Sequence, residues 1–144
     1  MADNKKVYKC RSIVRGSGAG EAVVSKDAMC FYLTDPTTGT AIERNHAIEG
    51  KSISGKVLVL QSGKGSSVVQ ADGFYQLWVR NNLPAAIIIG VPEPVIVSSA
   101  VMVGATMVDR LDDDPFEAIA DGDYVEVDAD AQEVRVWKGG KAAD

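Results

Sequence analysis

The strongest local pattern in the chain is Lys56-Val57-Leu58-Val59-Leu60, closed by Gln61-Ser62-Gly63-Lys64-Gly65-Ser66-Ser67. So uniform an apolar run predicts a strand covered on both faces. From about Ser67 to Asn82, Ala71, Phe74, Tyr75 and Trp78 recur at three- and four-residue spacing. That spacing predicts a helix with those four side chains on its buried stripe. Gly73 weakens the helix interior, and Asn81, Asn82 and Pro84 end it. Ala85 to Ile89 (AAIII) predicts a second buried strand. Strand, helix and strand together predict a βαβ unit with a right-handed crossover.

The remaining pattern is less regular. Residues 7–14 mix apolar and polar positions. Gly16 to Gly20 reads as a Gly-rich turn, and Glu21 to Ser25 as a short strand. Met29 to Leu33 (MCFYL) is apolar and β-prone, and it runs into the turn Asp35-Pro36-Thr37-Thr38-Gly39. There Pro presets φ and Gly accepts positive φ. Residues 40–55 carry loop signals. Val91 to Pro94 predicts a rigid loop, Val95 to Val97 a strand, and Ser98 to Val103 fits helix or strand. Asp114 is placed to cap a short helical turn from Pro115 to Ile119. Asp123 to Val127 and Glu133 to Trp137 alternate at period two and predict a hairpin. The tail from Lys138 to Asp144 is expected to fray. Neither a linker nor an internal repeat interrupts the pattern, so residues 1–144 read as a single mixed α/β domain with its core over about 7–137.

Composition narrows the function. The net charge is −5, and Lys and Arg are scattered apart from Lys5, Lys6 and Lys9. A mildly acidic chain of this kind disfavours phosphate-backbone binding. Only two cysteines, Cys10 and Cys30, and one histidine, His46, are present. That is too few for a disulfide scaffold, and it predicts no metal or iron–sulfur site held by this chain. The cysteines are expected to be ordinary thiols, and His46 a surface residue. The polar start and the short apolar runs predict a cytoplasmic protein.

Candidate chemistry concentrates at Gly63, Lys64, Gly65, Ser66 and Ser67. A strand that ends in Gly-x-Gly-Ser-Ser and opens a helix turns backbone N–H groups toward a small space. Helix-terminal charge and Lys64 suit that space to a carboxylate or phosphate. A second reading is equally open: the glycines make a tight turn and a serine caps the helix. The spacing matches neither a Walker A loop nor GxGxxG, where Val68 occupies the last position. A lone serine needs activation, and no His–Asp pair is evident, so the rest of a catalytic site belongs on another polypeptide. Asp109-Arg110 reads as a local ion pair, Asp112 to Asp114 as a solvated acidic turn, and Tyr75 and Trp78 as core.

At Gly55 to Ser67 the chain resembles the swivel-domain small subunits of the aconitase X family, whose usual run is a GKVLVLP-like strand and a G-R/K-G-S-S turn. Gly20 to Ser25, Asp35-Pro36-x-x-Gly39, Pro84 to Ile88, Val108 to Leu111 and the strands after Gly122-Asp123 also resemble it, across roughly 11–137. The resemblance implies a swivelling β/β/α domain with a mixed sheet. It implies a larger partner subunit that carries an iron or iron–sulfur centre, and a hydro-lyase reaction. It assigns the proton-abstracting role to Ser66 and substrate binding to Gly63, Lys64, Gly65 and Ser67. Two departures stand out: Phe31-Tyr32-Leu33-Thr34 where relatives carry a glycine pair, and Gln61 in place of proline. Implied substrates are cis-3-hydroxy-L-proline or phosphomevalonate. The lack of hyperthermophile-type Lys/Glu enrichment leans toward the former. A non-catalytic small-anion-binding module is the contrasting reading.

Overall fold

A computed structural model describes residues 5–141. One eight-stranded mixed sheet organises them, in the order β1-β10-β9-β3-β6-β7-β8-β2. Its parallel part is β3 (Ser17–Ser25), β6 (Val57–Leu60), β7 (Ala86–Ile89) and β8 (Met107–Asp109). Two helices, α1 (Ser67–Val79) and α2 (Pro94–Val103), cover one face. On the other side lie the hairpin β9 (Tyr124–Asp128) and β10 (Glu133–Trp137), β1 (Lys5–Lys9), and the short α3 (Pro115–Ala118). The edge strand β2 (Arg11–Val14) pairs with β8, and a small hairpin joins β4 (Thr34–Asp35) to β5 (Thr40–Ala41). Among the described residues, no helix is long and apolar enough to cross a membrane.

Alternation decides which core each residue joins. In β6, Leu58 and Leu60 pack under the helices while Val57 and Val59 pack toward the hairpin, all fully buried. In β7, Ile87 and Ile89 face the helices and Ala86 and Ile88 the hairpin. Both strands are therefore covered twice, as their apolar runs predict. The βαβ unit, the closing hairpin and the Asp114 cap are present, with Asp114 Oδ1 accepting from Phe116 N at 2.9 Å.

Several expectations are corrected. Gly16 to Gly20 is mostly strand, not turn: Ser17 opens the nine-residue β3. A Cβ at Gly18 would lie 2.0 Å from the Ala85 carbonyl oxygen, so glycine there permits a close backbone approach. Met29 to Leu33 is not a strand; Phe31–Leu33 forms a 3₁₀ turn and Phe31 stacks on Phe74 at 4.0 Å. Val95 to Val97 belongs to α2, because the Glu93 carboxylate accepts from Val95 N and Ile96 N and starts a helix immediately at Pro94. The buried face of α1 is Gln70, Gly73, Phe74 and Leu77, whereas Tyr75 and Trp78 are 47% and 51% exposed. Gly73 is required there, since its Cβ would lie 2.2 Å from the Phe31 carbonyl carbon. Lys138 and Gly139 are held rather than frayed: Lys138 Nζ reaches Asp123 Oδ2 at 2.6 Å and Gly139 N reaches Oδ1 at 2.8 Å. Residues 142–144 of that tail lie outside the described residues.

Candidate active site

The segment after β6 is pinned before it reaches the helix. Gln61 N donates to Ser25 O at 3.1 Å, Met29 N to Ser62 O at 2.9 Å, and Lys64 N to Met29 O at 3.2 Å. Gln70, fully buried on α1, completes the clamp. Its Oε1 accepts from Phe31 N at 2.7 Å, and its Nε2 donates to Met29 O at 3.1 Å and Lys64 O at 3.2 Å. Every polar atom of that amide is used, which a buried glutamine requires. Sequence reading passed over Gln70. A polar residue on the buried stripe of a helix was its one visible signal.

Both loop glycines are demanded by space. A Cβ at Gly63 would lie 2.6 Å from Ile96 Cβ and 2.9 Å from Glu93 Oε1. Gly65 has φ +97 and packs against the Cys30 thiol. The tight-turn half of the second reading therefore holds for the glycines, but the capping half does not hold for Ser66. Ser66 is the N-cap of α1 with extended backbone, and its carbonyl accepts from Gln70 N, yet its hydroxyl makes no capping bond. By contrast α2 and α3 are capped by the carboxylates of Glu93 and Asp114. Ser66 and Ser67 are both exposed at the mouth of α1, and Val68 beyond them is 75% exposed. The result is a rigid loop with an available hydroxyl, uncapped first-turn N–H groups and a neighbouring ammonium on Lys64. Such an arrangement favours an anion or a developing alkoxide.

Lys64 is not free. Its Nζ is paired with Glu43 Oε2, a residue that sequence reading left within a loop. His46 lies in the same loop and is buried, not on the surface. Its Nε2 contacts Ala28 O at 2.9 Å and its Nδ1 accepts from Ile48 N at 3.2 Å. Both nitrogens are occupied in holding the loop, so His46 does not serve Ser66 as a base. Asp109 is paired, but with Arg11 in a two-pronged contact at 2.8 and 2.7 Å, not with Arg110. Arg110 instead adopts φ 52 and lines a crevice with Gln61, Gly90, Val91 and Phe116 at the carboxyl ends of the parallel strands. Asp112, Asp113 and Asp114 are exposed, as the acidic turn predicts.

Both cysteines are buried and unpaired with one another. Burial pushes the Cys10 thiol up to about 11, with Asp109 and other carboxylates adding to the rise. Among the described residues no group of three His, Cys, Asp or Glu side chains is placed to hold a metal ion.

The outer faces of α1 and α2 are unusual for a surface. Their exposed residues are Ser67, Val68, Tyr75, Trp78 and Val79 on α1, and Pro94, Ser98, Val101 and Met102 on α2, none of them charged. A groove lined by Ser67, Ala71, Val95, Ser98 and Met102 runs between the helices from the serine loop.

Comparison with known proteins agrees with this geometry. The family model for the aconitase X swivel domain matches residues 7–136. The chain is 45% identical over 124 residues to the phosphomevalonate dehydratase small subunit of Methanocella arvoryzae, covering 85% of this chain and 93% of that one. It is 40% identical over 135 residues to the subunit of the same name from Methanosarcina mazei, covering 93% of each. The crystal structure of Thermococcus kodakaraensis aconitase X in its holo-form superposes with a TM-score of 0.83 at 36% identity, covering 92% of this chain and 99% of that chain. The mixed sheet, the glycine–serine loop after its central strand β6 and the matched length leave one assignment: this chain belongs to the aconitase X swivel domain family.

Proposed function

We propose that this chain is the small subunit of a phosphomevalonate dehydratase and that it contributes Ser66 to a site completed by a large subunit. The exposed Ser66 hydroxyl on a rigid loop carries the reading. It sits at an uncapped helix start and is hydrogen-bonded to no side chain among the described residues. A finished hydrolase-type serine has its own proton acceptor; this one is half of a site. The relatives' names support the rest, since they pair the words small subunit with phosphomevalonate dehydratase.

In the proposed reaction Ser66, as its alkoxide, takes a proton from substrate carbon. The C–H electron pair forms the new carbon–carbon double bond as the neighbouring C–O bond breaks with its electron pair on oxygen; the departing hydroxide takes back the proton held by Ser66, which completes the water and restores the alkoxide. The N–H groups at the start of α1 stabilise the alkoxide. The Lys64 ammonium and the N–H groups of the Gly63 to Ser67 loop other than that of Lys64, which Met29 O takes, hold the substrate's anionic group. The leaving hydroxyl would be held by the iron-containing centre expected on the large subunit, acting as a Lewis acid. The uncharged faces of α1 and α2 supply apolar area for that partner.

This reading sets aside cis-3-hydroxy-L-proline as substrate. Lys/Glu content speaks to the temperature at which a protein works, not to what it binds. The test is co-purification with the candidate large subunit and a dehydration assay on both substrates. Wild type is expected to act on phosphomevalonate. Ser66→Ala should lower turnover by about 10³-fold, the scale of a lost proton acceptor, while assembly is retained. Normal turnover by Ser66→Ala would leave the loop as an anion-holding device only.

A further inference from the structure

Glu43 Oε1 is buried and meets no donor, the one such side-chain atom among the described residues. Its other oxygen, Oε2, takes the Lys64 ammonium. Natural folds seldom leave a shielded acceptor unmet, because desolvation is then uncompensated. The carboxylate is only a quarter exposed, so water does not fully relieve it. Its placement is deliberate in the fold. Ile42 N donates to Leu33 O at 3.0 Å, and His46 N donates to Glu43 O at 3.3 Å. His46 then ties the loop to Ala28 O. Lys64 is held to the neighbouring Met29 by its own N–H. Glu43, through its neighbours Ile42 and His46, and Lys64, through its own N–H, are thus tied to the same 28–33 segment and joined at their tips.

A lysine tip is ordinarily a mobile point charge on a flexible stem. Here it is fixed next to the loop that carries Ser66. One carboxylate oxygen occupies one of its three N–H donors, and two remain for an incoming anion. We propose that Glu43 is a positioning residue of the substrate site: it holds the Lys64 ammonium in place beside the Gly63 to Ser67 loop and so sets how tightly the phosphate or carboxylate group of the substrate is bound. The proposal rests on the reading of that loop as the substrate site.

The experiment uses the assembled two-subunit complex. Glu43→Gln keeps the shape and removes the charge. It should raise KM for phosphomevalonate about tenfold and leave kcat within about twofold, the signature of lost binding common to ground and transition states. Lys64→Met should do the same. The double variant should be no worse than Lys64→Met alone, since residues acting through one contact are not additive. Glu43→Asp should recover part of the loss. Calorimetric binding of phosphomevalonate to the complex carrying Ser66→Ala gives the same comparison without turnover, and Glu43→Gln should weaken Kd there by a similar factor. An unchanged KM and Kd in Glu43→Gln, or a further loss on adding it to Lys64→Met, would overturn the inference. If the Ser66→Ala complex binds no phosphomevalonate, the substrate assignment has failed instead. Inorganic phosphate in the same calorimeter then decides the role of Glu43: weaker binding by Glu43→Gln sustains it, and equal or absent binding by both proteins ends it.

Discussion

The two sides of the sheet are finished to different degrees. On the hairpin side, buried polar groups are met from within. Asp123, 3% exposed, accepts from Ala120 N, Gly139 N and Lys138 Nζ. Arg135 lies between Glu126 and Glu133, and Lys141 stands over Tyr124 and Trp137. On the helix side, Ser66 has a hydroxyl that caps nothing, Glu43 has an acceptor without a donor, and both helices turn uncharged apolar residues to solvent. The first side is built for stability of this chain alone. The second is finished only as far as the loop, and its outer surface is left apolar and uncharged. The difference teaches that unmet groups, rather than perturbed or reactive ones, set the helix side apart.

Substitutions that separate assembly from stability sharpen that comparison most. Tyr75→Glu with Trp78→Glu should weaken association with the large subunit by at least about 100-fold, because two large aromatic anchors are lost to charge. The melting temperature of the free subunit should stay within about 2 °C, since exposed positions rarely matter to folding. Analytical ultracentrifugation and thermal melts give the two readouts. Unweakened association would place the partner elsewhere and break the comparison.

Next in size is the clamp. Gln70→Leu should destabilise the subunit by about 3 kcal/mol in urea, because the Lys64 carbonyl and the Phe31 N–H lose their partners while Met29 O keeps only Lys64 N. It should also lower turnover, as the serine loop loosens.

On the hairpin side, Asp123→Asn should cost about 2–3 kcal/mol of stability and leave the turnover of the complex unchanged. Burial alone would raise the Asp123 carboxyl, but Lys138 and the two N–H donors outweigh it and hold it below its usual range. A carboxyl lowered in the folded state stabilises above its unfolded value and loses that contribution as pH falls through the folded one. Wild type should therefore lose stability below about pH 4, and Asp123→Asn should lose less of it over the same range.

The smallest effect concerns Cys10, whose thiol rises from 9.0 to about 11. A raised folded value means stability that is whole below pH 9 and lost as pH climbs toward 11. Cys10→Ala should abolish that share of the alkaline decline, on the order of 2 kcal/mol, in melts run from pH 8 to 11.

Much of the fold was legible because period and composition agreed: Val57 to Leu60, Ala85 to Ile89 and the closing hairpin all have the pattern that their burial requires. Where the reading failed, a distant contact decided. Gly18 and Gly20 look like turn residues until Ala85 and Gly55 are known to approach their backbones. Tyr75 and Trp78 fit a helical stripe as well as Phe74 does, and only the packing of Phe31 selects which face is buried. Of the candidate site, the loop stood out through local glycine and serine chemistry that fitted an anion pocket and a tight turn equally, and the resemblance to the family singled out Ser66. Gln70 and Glu43 were not legible, because their meaning depends on the 28–33 segment, whose 3₁₀ turn leaves no periodic trace.

One pairing has a consequence for how the protein is made. β1 begins at Lys5 and is hydrogen-bonded to β10, with Lys5 opposite Trp137. β1 must wait for β10, far along the chain, to leave the ribosome before its neighbour exists. β3 waits similarly, since its first half pairs with β9. Such distant closure is slow. A nascent chain halted before residue 124 would carry the βαβ unit with one flank of β3 bare, a strand edge prone to joining other chains. Emergence of β9 and β10, more than any single contact, is the step at which that edge is covered.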